Sequence, residues 1–163
     1  MSDDTTAAGT EGIKQGDQVP LMVHGQYIKD LSFEIPGAPQ IFLEAPKGKP
    51  ELNLNLDVQV EGLSEDVFEV ILDIKAESQI DRQVTYIIEL KYAGLFTLRV
   101  PDEYRASLLF VECPRLMFPF ARAILADITR DGGFQPLVLN PIDFAALYQQ
   151  NIDKLQGQVK SDA

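Results

Sequence analysis

The chain has 163 residues, and its 25 acidic against 14 basic residues leave a formal net charge of −11. This length is typical of one domain with its own core. The acidity argues against binding nucleic acid or an anionic membrane surface, because both attract basic faces. The single cysteine cannot form an intramolecular disulfide, and the N-terminus lacks the pattern of a signal peptide, so we expect a cytoplasmic protein.

The first part of the chain changes from a polar tail to a strand and then to a loop. Residues 1–20 are small and polar, which predicts a disordered tail. Between residues 25 and 35, apolar and polar side chains alternate, as in a strand with one buried face. Residues 36–50 hold four prolines and two glycines, which predicts a crossing loop with an apolar centre at residues 41–43.

Three further strands are predicted from strict alternation over residues 51–60, 67–78 and 84–92. Short turns join them, which favours an antiparallel meander. Gly94 is expected to mark a bend or bulge after the last of these strands. Together with the first strand, the pattern predicts a four-stranded antiparallel sheet.

Helices follow the sheet. Pro101 and Asp102 are expected to open a helix over residues 102–113. The apolar stretch 113–134 is also predicted to be helical, with Pro114 in its first turn. Pro119 should kink or restart this helix, and the glycines at 132–133 should end it. Residues 135–140 look extended. A last helix, from Asp143 to about Leu155, has a narrow apolar stripe. The fold class is therefore α+β, with the long helix and the C-terminal helix packed on one face of the sheet.

The long helix is apolar around most of its circumference. Between Leu116 and Ile128 only Arg122 and Asp127 are charged, and the run is too short to span a bilayer, so we expect no direct membrane insertion. Such a helix needs cover on two sides, which favours an oligomer. The alternative is a central helix inside a monomer. The candidate oligomer-interface residues are Phe118, Phe120, Ile124, Leu125 and Ile128.

The sequence contains no phosphate-binding glycine loop, no cluster with metal-ligand spacing and no nucleophile elbow, so we expect neither an enzyme nor a cofactor. A Cys113–His24 catalytic pair is disfavoured by the distant segments that carry the two residues. The solvent-exposed face of the predicted sheet is more distinctive, because residues 51–91 hold ten acidic and three basic residues, a net charge of −7. It is either a docking site for a basic partner or a merely solvated surface. By alternation it carries Asp30, Glu34, Ile87 and Glu89.

Several stretches together resemble the SecB family of bacterial export chaperones. They are YIKDLSFEIPGAPQIF (27–42), GLF (94–96), CPRLMFPFARAILADITRDGGF (113–134) and QPLVLNPIDFAALY (135–148). The resemblance covers nearly everything except the tails. It implies a single chaperone domain over residues 21–156, followed by a flexible tail over residues 157–163.

The resemblance also implies a function. SecB-like proteins are homotetramers, built as dimers of dimers, that hold precursor proteins unfolded without ATP and deliver them to SecA, the translocation motor. By motif, the SecA contacts correspond to Asp30, Glu34, Ile87 and Glu89. The client-binding candidates are Ile41, Phe42, Leu43, Phe144, Leu147 and Tyr148. The loop lacks the tryptophan expected in the family and is longer. The competing class is a small-molecule-binding or enzymatic α+β oligomer.

Overall fold

The computed structural model describes residues 19–161, with side chains through residue 158. The predicted N-terminal tail therefore lies outside the described residues, apart from its last two. Among the described residues, no helix is both long enough and apolar enough to cross a membrane.

A four-stranded sheet in the order β1-β4-β3-β2 forms one layer, and every neighbouring pair is antiparallel. All four predicted strands are confirmed, and most are longer than predicted because the ladder hydrogen bonds continue past the clear alternation. The strands are β1 Leu21–Glu34, β2 Glu51–Gly62, β3 Val67–Ile80 and β4 Gln83–Leu98. The central strands β3 and β4 are the most buried.

Gly94 itself marks neither a bend nor a bulge, because the nearby register shift lies in β1, between Val23 and Gly25. It lies inside β4, paired with Gln26 on one side and Val70 on the other. A Cβ atom at this position would lie 2.6 Å from the Phe96 ring and 3.2 Å from the Met117 sulfur. The missing side chain therefore lets the sheet and the long helix approach each other closely.

The inner face of the sheet is the face that packs against the helices. Alternate residues of β3 and β4 point into this layer and are fully buried, as the alternation predicts. They include Val70, Leu72, Ile74, Ile88 and Leu90.

One continuous helical segment replaces the two predicted helices. It comprises α2 (Asp102–Ser107), one π-helical turn (Leu108–Glu112) and α3 (Cys113–Asp131). Pro114 lies in the first turn of α3, as predicted, although α3 continues directly from the π-helical turn before it. A proline ring clashes with the carbonyl four residues earlier, and the wider π turn directly before Pro114 relieves such a clash.

The helix also runs through Pro119 without a new start. Its predicted end is confirmed. The Gly132 N–H donates to the Ile128 carbonyl at 2.8 Å, and Gly133 adopts a φ of +94°. A positive φ at this position is characteristic of glycine after a helix.

Two further helices complete the fold. The crossing loop contains the short helix α1, Gln40–Leu43. The last helix, α4, spans Phe144–Ser161 and continues six residues beyond the predicted end. The Asp143 carboxylate accepts a hydrogen bond from the Ala146 N–H at 3.0 Å, which satisfies a free amide at the start of α4.

Candidate binding surfaces

The outer face of the sheet is the face opposite the helices, and it carries the four predicted docking residues together. Across β1 and β4, Glu34 lies opposite Ile87, Ser32 lies opposite Glu89, and Asp30 lies opposite Lys91. Directly paired residues in antiparallel strands share a face. The three carboxylates are exposed and Ile87 is half-buried.

Strand β3 extends this acidic surface. Glu77 lies opposite Ile87 on the other side of β4, and Asp73 lies opposite Lys91. Asp57 of β2 in turn lies opposite Asp73. Carboxylates therefore outnumber lysines on the outer face, where Lys75 and Lys91 also lie. A net charge of one sign attracts a partner of the other sign.

A buried carboxylate, Glu69, connects β1 to β3 across the outer face. It forms an ion pair with Lys29 at 2.6 Å and accepts a hydrogen bond from the Tyr27 hydroxyl. The Lys29 contact is the main reason that the pKa of Glu69 is lowered. The same carboxylate, through its hydrogen bond, raises the pKa of Tyr27 to about 12. Lys29 lies in the β1 register shift between Ile28 and Asp30, so Glu69 holds the irregular part of the strand beside Asp30.

An apolar groove of about 620 Å³ opens at the end of the sheet near the β3–β4 turn. The crossing loop forms one wall through Ile41 and Phe42, and Tyr86 of β4 contributes to its floor. The opposite wall is the irregular segment 133–138, which follows α3. The groove can therefore take apolar side chains, and no charged side chain lines it.

Phe134 is the centre of an aromatic cluster in this groove. Its ring centroid lies 5.0 Å from that of Tyr86, 5.6 Å from that of Phe42 and 6.4 Å from that of Phe33. Sequence reasoning missed Phe134, since it was considered only as the end of the helical segment. The available signal was an aromatic residue directly after two glycines that end a helix.

The predicted client-binding residues fall into two separate groups. Ile41 and Phe42 line the groove, with Phe42 half-exposed, while Leu43 is largely exposed beside it. The α4 residues do not line this groove. Phe144 is buried in an edge-to-face contact with Phe118, at a centroid distance of 5.8 Å.

The other two α4 candidates also pack within the chain. Tyr148 stacks on Phe110 of the π turn, with ring centroids 5.3 Å apart and an interplanar angle of 11°. Leu147 is half-buried against the core. The apolar stripe of α4 is therefore used in packing on the long helical segment, which leaves the loop and segment 133–138 as the open apolar surface.

The predicted interface residues of α3 point in different directions. Phe118 and Leu125 are buried in the core of the chain itself, and Ile124 and Ile128 are half-buried against it. Phe120 is 56% exposed, and Leu116, one turn earlier, is 47% exposed. The chain therefore covers one side of α3 and leaves large apolar side chains open on the other.

Cys113 and His24 do not form a pair. Cys113 is buried at the start of α3, and burial raises the pKa of its thiol to about 12. The ring of His24 instead hydrogen-bonds the Thr97 hydroxyl. Across the described part of the chain, no group of three His, Cys, Asp or Glu side chains is arranged to hold a metal ion.

Comparisons with known proteins agree on one family. Residues 14–155 match the family model described as "Preprotein translocase subunit SecB". The protein-export protein SecB of Rhodospirillum rubrum is 48% identical over 99% of this chain and 97% of its own length. That of Granulibacter bethesdensis is 47% identical over the full length of both chains.

A solved structure has a similar fold. The SecB-like chaperone of Mycobacterium tuberculosis, in complex with a peptide from an antitoxin, matches with a TM-score of 0.64. The match covers 76% of this chain and 91% of the other, at 15% sequence identity. At this low identity the likeness concerns the arrangement of strands and helices.

Proposed function

Since the chain belongs to the SecB family of protein-export chaperones, we propose that it holds unfolded precursor proteins without ATP and delivers them to SecA. The observation that carries the client-binding part is the open aromatic groove between the crossing loop and segment 133–138. Proteins of this family are export chaperones rather than enzymes. The family match therefore favours the chaperone over the competing class, a small-molecule-binding or enzymatic oligomer.

The chemistry of the groove suits non-native chains. An unfolded polypeptide exposes apolar and aromatic side chains that a folded protein hides. Phe42, Tyr86 and Phe134 offer ring faces and edges without charge, so they accept many apolar sequences rather than one. We assign client binding to Ile41, Phe42 and Leu43 together with Phe134. The inward packing of Phe144, Leu147 and Tyr148 gives them a supporting role.

The outer face of the sheet is our candidate for SecA docking. Asp30, Glu34 and Glu89 surround the half-buried Ile87, so a basic partner could pair with the carboxylates and cover the isoleucine. The groove lies at the end of the sheet and involves different residues. Client binding and SecA docking are thus separable functions, and both take place in the cytoplasm.

We also assign a homotetramer built as a dimer of dimers. The exposed Leu116 and Phe120 on α3 support self-association, because large apolar side chains gain by leaving water. The number four is the family's arrangement. Several grooves on one assembly would strengthen binding of a single long client, because each later contact forms intramolecularly.

The test of client binding is a double substitution in the loop, Phe42→Ser with Leu43→Ser. Both side chains are exposed, so the fold and the native mass should be kept while suppression of client aggregation weakens. The control is Leu63→Ser, because Leu63 is 54% exposed in the β2–β3 turn, away from the groove. The measurement is light scattering of a reduced, unfolded client without nucleotide, with native mass measured in parallel. Undiminished suppression by the double variant would reject the groove.

A further inference from the structure

The groove wall formed by residues 133–138 belongs to no regular helix or strand. It nevertheless carries Phe134, the centre of the aromatic cluster. Irregular backbone of this kind needs hydrogen-bond partners outside its own segment if it is to keep one shape. Two of those bonds come from the same residue on α3, Thr129.

Thr129 is 0% exposed, and both its backbone carbonyl and its hydroxyl accept hydrogen bonds from segment 133–138. Its carbonyl accepts a hydrogen bond from the Phe134 N–H at 3.0 Å. Its hydroxyl oxygen accepts one from the Leu137 N–H at 2.8 Å. The hydroxyl proton is directed back to the carbonyls of Leu125 and Ala126, at 2.8 and 3.0 Å.

This arrangement couples the last turn of α3 to the groove wall. The carbonyls of the helix orient the hydroxyl, since its single proton can point only to them while its lone pair faces Leu137. The Leu137 amide is then held in place, with Val138 and Phe134 on either side along the groove. An apolar side chain at 129 would leave this amide without its partner, which is costly for a half-buried group.

We propose that Thr129 is a positioning residue for the client-binding groove: its hydroxyl holds Leu137 and thereby sets the position of Phe134 and Val138. The inference rests on the proposed function of the groove. Thr129 does not itself line the groove, so its effect on a client is indirect.

The experiment compares Thr129→Val, which keeps the shape but removes the hydroxyl, with Thr129→Ser, which keeps the hydroxyl. The probe is a short synthetic peptide rich in Phe and Leu, labelled for fluorescence anisotropy. Loss of one hydrogen bond should weaken peptide binding of Thr129→Val about 3- to 10-fold and speed amide exchange in residues 133–138. Thr129→Ser should retain near-normal affinity and exchange.

The matched control is Thr97→Val. Thr97 is also buried and loses a side-chain hydrogen bond, to His24, but lies away from the groove. It should lower the melting temperature without changing peptide affinity. Thr129→Ala, which removes the hydroxyl together with the methyl group, should reproduce the loss if Thr129→Val does not fold.

Three results would overturn the inference. Folded Thr129→Val, or Thr129→Ala in its place, could bind the peptide as tightly as the wild type. Thr129→Ser could bind as weakly as Thr129→Val, so that the hydroxyl is irrelevant. If the wild-type protein does not bind the peptide at all, the proposed role of the groove fails, and the role of Thr129 in client binding fails with it.

Discussion

Placing a charge on the open side of α3 should dissociate the oligomer. Complete burial of a Leu or Phe side chain contributes roughly 1.5 to 3 kcal/mol. Phe120 is 56% exposed in the chain by itself, so covering the remainder contributes roughly 1 kcal/mol per copy. In a symmetric contact both copies lose this term, about 2 kcal/mol in total. Phe120→Asp should therefore raise the dissociation constant at least about 30-fold, before any cost of burying the carboxylate.

The assay is native mass by light scattering or sedimentation over a dilution series. Leu116→Asp should act in the same direction, because Leu116 lies one helical turn away with 47% of its surface open. Leu63→Asp is the matched control, since a side chain exposed to the same degree is replaced away from α3. If Phe120→Asp and Leu116→Asp associate as tightly as the wild type, or if the wild type is a stable monomer, the reasoning is refuted.

Two further predictions concern the outer face. Asp30→Lys or Glu89→Lys should weaken SecA binding in a pull-down and spare peptide capture, and the wild-type interaction should weaken with added salt, which screens exposed charges beyond about 8 Å at physiological strength. Unchanged SecA binding would reject this site. Glu69→Gln should lower the urea midpoint at neutral pH, because Lys29 and Tyr27 stabilise the charged carboxylate. That stabilisation exists above the unfolded pKa near 4.5 and is lost as pH falls through the lower folded pKa, so the midpoints should converge in acid. If the urea midpoints of the wild type and Glu69→Gln differ by the same amount at neutral and acidic pH, this prediction is contradicted.

The sequence predicted the sheet well because the alternation of apolar and polar residues in each strand shows which face is buried. The shared outer face of Asp30, Glu34, Ile87 and Glu89 follows directly from this alternation, and the ladder pairing agrees. The glycine pair after α3 was equally informative, since a helix stop is a local property of the backbone. These features depend on neighbours in sequence.

The differences between prediction and structure concern residues whose surroundings are decided by distant neighbours. The sequence predicts a bend or bulge at Gly94, whereas in the structure Phe96 and Met117 leave no room for a side chain there. The resemblance implies client contacts for Phe144 and Tyr148, whereas the structure packs these residues on Phe118 and Phe110. Phe134 had no periodic pattern around it and was missed.

The sequence alone determined the order of the elements, the two faces of the sheet and the family, because these follow from local periodicity and from motifs. Only the tertiary structure decided which apolar residues stay open. It shows that the chain itself buries one side of α3 and that the apolar stripe of α4 packs within the chain. It also shows that the groove lies between the crossing loop and segment 133–138. The physical reason is that an apolar side chain has the same chemistry at any position in the sequence, whereas its exposure depends on which distant side chains pack against it.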